Sequence, residues 1–170
     1  KYNKLRKESS IKKEILYVTA QEHAVPSSML AMIKYIKAEK NDYEQLIAVN
    51  SGNIKESEER LKRYNLSDIQ IITRDDEKYL KSLSEAEYIF SDCGLEYYFA
   101  AKDNQKYFNL QTDNISAKMT RKKERECFEF ATVQKSIITP KASIYLTNES
   151  RLSFEKAYRC EMLPTSAIIF

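Results

Sequence analysis

Short apolar runs alternate with longer segments of helical spacing along most of the chain, and this rhythm limits the folds open to it. Ile15-Leu16-Tyr17-Val18-Thr19 shows no polar alternation, as a strand buried on both faces requires. Met29, Met32, Ile33 and Ile36 then fall at i, i+3, i+4 and i+7, one face of a helix. Leu46–Val49 is the next predicted strand. A charged helix follows, with Glu56/Arg60, Glu58/Lys62 and Glu59/Arg63 in the favourable i, i+4 order. Asp68–Thr73 reads as a strand, and Asp75 or Asp76 as the cap of a short helix burying Leu80 and Leu83. The second half repeats the pattern with strands at 87–91, 107–110, 143–146 and the terminal 167–170. Helices are predicted over 95–101, over about 121–137, and after Asn148 as N-cap. Six or seven strands alternating with helices predict an α/β fold: a Rossmann-like, doubly wound, mostly parallel sheet.

Composition narrows the chemistry. Two glycines occur in 170 residues, where average usage of about 7% would supply roughly a dozen. Glycine-rich phosphate loops therefore cannot be assembled. A single histidine excludes a multi-histidine metal centre, and no metal or cofactor is expected. Cys93, Cys127 and Cys160 lack short-range pairing and fit a reducing compartment. Residues 1–13 hold six of the 28 basic groups and one of the 25 acidic ones. They read as a basic tail or linker ahead of a lobe spanning 14–170, and the chain as a piece of a longer protein. The remainder is net acidic apart from Lys118, Arg121, Lys122, Lys123 and Arg125, which argues against nucleic-acid binding.

In doubly wound folds sites lie at the carboxyl ends of strands. His23, beside Glu22 after the first strand, is the only imidazole and the candidate base. Asp92 and Gly94 follow the fourth strand, with Gly94 expected to permit a tight turn into a helix. Gln111, Thr112, Asp113, Asn114 and Lys118 gather hydroxyl, amide, carboxylate and ammonium groups beyond the fifth strand, and Asn148 follows the sixth. A helix start in the 111–118 stretch would favour an anion.

The run Ala86-Glu87-Tyr88-Ile89-Phe90-Ser91-Asp92, then Tyr98-Phe99, then Gln105-Lys106-Tyr107-Phe108-Asn109-Leu110 resembles the amino-terminal lobe of CDP-glycerol glycerophosphotransferases, the teichoic-acid-type polyol-phosphate transferases. Ala142–Glu149 followed by Phe154, Ala157 and Tyr158 is similar to the family too. The resemblance implies a two-lobed, GT-B-like bacterial enzyme, peripheral at the cytoplasmic face of the cell membrane. Such an enzyme moves glycerol phosphate or ribitol phosphate from a CDP-polyol donor to a lipid-linked acceptor and releases CMP. The amino-terminal lobe would bind acceptor and carry a Trp-His motif, while the missing second lobe would hold the nucleotide. With Lys118 on the motif lysine, Gln111 stands for the tryptophan and Thr112 for the histidine; a threonine hydroxyl is too weak a base near pH 7. Either the lobe is degenerate, the favoured expectation, or the base is elsewhere, with His23 as candidate. The alternative is a non-catalytic module that docks a partner protein or an anionic membrane surface.

Overall fold

Strand β1 (Lys12–Val18) shows why the rest of the domain takes its shape. Ile15, Leu16, Tyr17 and Val18 are all essentially inaccessible. Side chains alternate across a strand, so Ile15 and Tyr17 enter one apolar core while Leu16 and Val18 enter another. A strand wanted by two cores must sit mid-sheet with helices above and below it. The computed structural model, which describes residues 1–20, 24–39, 42–111, 135, 138–157 and 167–169, has that arrangement.

The sheet has seven strands in the order β3-β2-β1-β4-β5-β6-β7, and every pairing is parallel. The strands after β1 are β2 (Glu44–Val49), β3 (Gln70–Thr73), β4 (Ala86–Ser91), β5 (Lys106–Gln111), β6 (Ala142–Tyr145) and β7 (Ala167–Ile169). Helices α2 (Ser27–Glu39) and α3 (Ile54–Arg63) return the chain from β1 to β2 and from β2 to β3, covering one face through Met29, Leu30, Ile33 and Leu61. After β3 the chain crosses back over β1. Helix α4 (Glu77–Glu85) lies on the opposite face and buries Tyr79 and Leu83. Right-handed crossovers that reverse their direction of travel produce this alternation of faces. The expected fold class is observed, with all seven strands.

Cross-strand register adds an aromatic row. Tyr17, Phe90 and Phe108 are register partners on β1, β4 and β5. Their rings stack with centroids 5.7 and 5.2 Å apart, and the Tyr17 hydroxyl donates to Gln45 Oε1 at 3.1 Å.

Several local expectations need correction. Residues 1–13, read as a tail, contain helix α1 (Tyr2–Glu8), and β1 already begins at Lys12. Tyr2 is buried in the second core, and Arg6 donates to the carbonyls of Ala100 and Ala101. The segment 95–101 is turn and loop, not helix; Leu95 and Phe99 meet the core at helical spacing without a helix between them. Gly94 has no positive φ. Of the two aspartates expected to cap α4, Asp76 does so, as expected, accepting from the Lys78 amide at 3.1 Å. Helix α5 (Asn148–Ala157) is capped by Thr147, not Asn148. Thr147 Oγ1 accepts from the Ser150 amide while Ser150 Oγ accepts from the Thr147 amide, each at 3.1 Å. The predicted helix at about 121–137 lies outside the described residues apart from residue 135.

Asn65 adopts φ 57° just past α3. Its amide bonds the Lys62 carbonyl and the Leu66 amide bonds the Leu61 carbonyl, a Schellman closure with asparagine where glycine is usual. Asn65→Ala is expected to cost about 1 kcal/mol, since a Cβ without a short polar side chain disfavours this conformation, while Asn65→Gly should cost nothing; urea midpoints check both.

Glu14 is buried near the start of β1 and faces Glu44 in register on β2. Burial raises its carboxyl above the ordinary range, Ser82 works in the opposite direction, and Glu44 and Glu85 raise it further. The folded chain then holds this proton more tightly than the unfolded chain. Stability from this group is full below the unfolded value of about 4.3 and is lost as pH rises through the higher folded value. Glu14→Gln is therefore expected to match the wild type near pH 3.5 and to exceed it in urea resistance at pH 7.

Candidate functional site

An open parallel sheet offers one natural crevice, at the carboxyl edge where the winding direction reverses. Here that point lies between β1 and β4. Thr19 and Ala20 leave β1, Ser91 is the last residue of β4, and Asp92 and Cys93 follow it. The two exits are tied together. Asp92 Oδ1 accepts from the Ala20 amide at 2.7 Å, and the Asp92 amide donates to the Val18 carbonyl at 3.3 Å. Ser91 Oγ donates to the Cys93 carbonyl at 2.7 Å and accepts from the Cys93 amide at 3.2 Å, so the turn after β4 is closed by a hydroxyl.

Behind this turn sits a buried ionic cluster drawn from three elements. Arg74 follows β3, Tyr79 projects from α4, and Glu96 belongs to the loop after β4. Arg74 Nη2 donates to Glu96 Oε1 at 2.7 Å, and the Tyr79 hydroxyl donates to Glu96 Oε2 at 2.6 Å. Arg74 Nη1 reaches the Thr19 carbonyl at 3.2 Å and Cys93 Sγ at 3.6 Å. The Arg74 and Glu96 side chains are only 14% and 17% exposed, and Tyr79 is fully buried. Burial pushes the Tyr79 hydroxyl well above its usual range, so it stays a proton donor to Glu96. Burial also raises the Cys93 thiol, against the pull of Arg74. A thiol kept protonated near pH 7 is a poor nucleophile.

The sequence-derived site residues divide clearly. Asp92 stands at the mouth of the crevice. Gln111 ends β5 and Asn148 opens α5 just beyond β6. These three therefore follow the carboxyl ends of three successive strands, a span of about 10 Å at ordinary strand spacing. His23, Thr112, Asp113, Asn114 and Lys118 lie outside the described residues. Sequence reasoning missed Arg74, Tyr79 and Glu96. The signal available was a single arginine placed directly after the short edge strand β3. Among the described residues no cluster of His, Cys, Asp and Glu could hold a metal ion, and no helix is long and apolar enough to cross a membrane. A predominantly apolar groove of about 550 Å³, bordered by Met32, Tyr35, Phe108, Leu110, Leu146 and Ile168, lies on the face that carries α2.

These features define an α/β domain of the Rossmann type whose polar groups collect at the carboxyl edge of the sheet. The family model for CDP-Glycerol:Poly(glycerophosphate) glycerophosphotransferase matches residues 2–163, and the chain belongs to that family. Among solved structures, the wall teichoic acid polymerase TagF superposes with a TM-score of 0.68 at 14% identity, covering 99% of this chain and 43% of its own. A histidine-to-asparagine variant of TagF gives 0.67 at 15% identity, covering 93% and 38%. The same variant soaked with CDPG gives 0.61 at 16% identity, covering 93% and 39%. At these identities the likeness is one of fold, and the chain spans about two fifths of the length of these structures. No curated protein sequence matches.

Glu96→Ala would leave the Arg74 guanidinium buried without its carboxylate. It is expected to lower unfolding free energy by about 2–3 kcal/mol, below the full cost of breaking a deeply buried pair because some solvent reaches this one. Urea denaturation measures the loss, and a change below about 0.5 kcal/mol would contradict the cluster's structural role.

Proposed function

We propose that this chain is the amino-terminal, acceptor-side lobe of a CDP-glycerol- or CDP-ribitol-dependent polyol-phosphate transferase of teichoic acid or capsule synthesis, and that it does not catalyse transfer alone. The observation that carries the reading is the family assignment over nearly the whole chain, combined with a fold match that takes in only about two fifths of TagF. In the proposed reaction an acceptor hydroxyl oxygen attacks the polyol-bearing phosphorus of the donor. The bond to the cytidylate breaks, CMP leaves with its electron pair, and the hydroxyl proton passes to a base. Asp92, Gln111 and Asn148, with Thr112, Asp113, Asn114 and Lys118, would bind the acceptor along the strand ends. A donor lobe elsewhere in the protein would hold the nucleotide.

Thr112 at the family histidine position supports a degenerate lobe, and His23 is the candidate base if the whole protein turns over. Attachment at the inner membrane face would follow from the lipid on the acceptor. Several basic groups of residues 1–13 are engaged within the domain, which offsets part of the charge they would offer an anionic surface. Lys1 pairs with Glu77, Lys12 with Glu85 and Lys13 with Asp42, and Arg6 is bonded to backbone carbonyls.

A full-length protein with its base elsewhere releases CMP from CDP-glycerol or CDP-ribitol when a glycerol-phosphate-primed acceptor is present, a degenerate one releases none, and residues 1–170 alone are expected to release none. Chromatographic detection of CMP checks each. Release by residues 1–170 alone would overturn the lobe assignment, and loss of release in full-length His23→Ala would identify the base.

A further inference from the structure

Arg74, just beyond β3, contacts both strand exits flanking the switch point, and its geometry suggests more than a structural tie. Its Nη1 bonds the Thr19 carbonyl oxygen at 3.2 Å. That oxygen and the Ala20 amide belong to a single peptide unit, and a peptide unit is planar. Holding the oxygen therefore fixes the direction of the Ala20 N–H, which points at Asp92 Oδ1 from 2.7 Å. The same Nη1 also reaches Cys93 Sγ, on the residue directly after Asp92. Arg74 thus grips the chain on each side of the Ala20–Asp92 bond. Its own position is fixed by Glu96, which in turn is held by the Tyr79 hydroxyl, and by its backbone amide bonded to the Val49 carbonyl at 3.0 Å. With these bonds in place and only 14% of the side chain exposed, the guanidinium is committed to the protein rather than offered to a ligand.

We propose that Arg74 is a positioning residue that sets the Asp92 carboxylate at the mouth of the crevice, acting through the Thr19–Ala20 peptide. The planar fork meets a carbonyl, a thiol and a carboxylate in fixed directions, whereas a lysine ammonium is a compact point charge on a flexible stem. The functional half of this inference rests on the acceptor-binding role given to Asp92 above.

Two measurements on the full-length protein test it. In the first, hydrogen exchange at the Ala20 amide is compared with exchange at Leu16 inside β1. Arg74→Lys is expected to speed Ala20 exchange at least tenfold while Leu16 stays within twofold. Asp92→Asn is expected to do the same, and the double variant to add nothing further. A smaller acceleration at Ala20, one shared equally by Leu16, or additive effects in the double variant would overturn the proposal. Should Arg74→Lys fail to fold, Glu96→Gln loosens the same guanidinium and must accelerate Ala20 in the same direction. In the second measurement, Arg74→Lys is expected to raise KM for the primed acceptor about tenfold with kcat within twofold, and to have no effect on KM in an Asp92→Asn background. Absence of CMP release by the wild-type protein would sink the reading of it as an active transferase, while the exchange experiment would still decide the role of Arg74.

Discussion

Burial of β1 on both faces is the constraint from which the domain follows. A strand with no solvent-facing side cannot end a sheet, so the chain must place neighbours to its left and its right. It does so by winding outward through α2 and α3, then crossing back through α4 to start again on the other side. The reversal parts the connections leaving β1 and β4 and opens a crevice between strand ends that remain adjacent. Fold and site position are thus one consequence, and the polar groups of the site hang on a framework that tolerates no shift of register. Sliding β1 by one residue would exchange Tyr17 with Leu16 and Val18 between the two cores.

The scarcity of glycine shapes the loops. Where the backbone must turn, short polar side chains do the closing. Asn65 takes the left-handed position after α3, Ser91 folds the turn after β4 onto itself, Asn50 accepts from the Gly52 amide, and Thr147 and Ser150 cap each other. Such closures are more rigid than glycine turns, because a side-chain bond replaces backbone freedom. Such a frame presents side chains rather than open backbone at the strand ends.

Most of the sheet was legible in the sequence because parallel strands buried on both faces leave continuous apolar runs. The failures have physical reasons. Helix α1 carries mostly lysine, arginine and glutamate, with one buried tyrosine, so no apolar periodicity announces it. Leu95 and Phe99 imitate a helix because a loop pressed against a core can place two side chains inward at the same interval. Thr147 outcompeted Asn148 as cap because its hydroxyl could be answered by Ser150. In the site, Asp92 was visible from its place after a strand. Arg74, Tyr79 and Glu96 were not, because they come from three separate elements and are joined only by the fold, while His23 and the 112–118 residues lie outside what the structure describes.

The anchoring of α1 bears on the order in which the domain assembles. The acceptors for Tyr2 and Arg6 are the carbonyls of Ala100 and Ala101, more than ninety residues away along the chain. A seven-residue helix is too short to persist by itself, and closing so long a loop is entropically costly before other contacts have formed. During synthesis the α1 residues emerge before their acceptors and find no seat until β4 and the loop beyond it have been made. Helix α1 therefore settles only after the loop that follows β4, and its docking reports that the central strands are already in place.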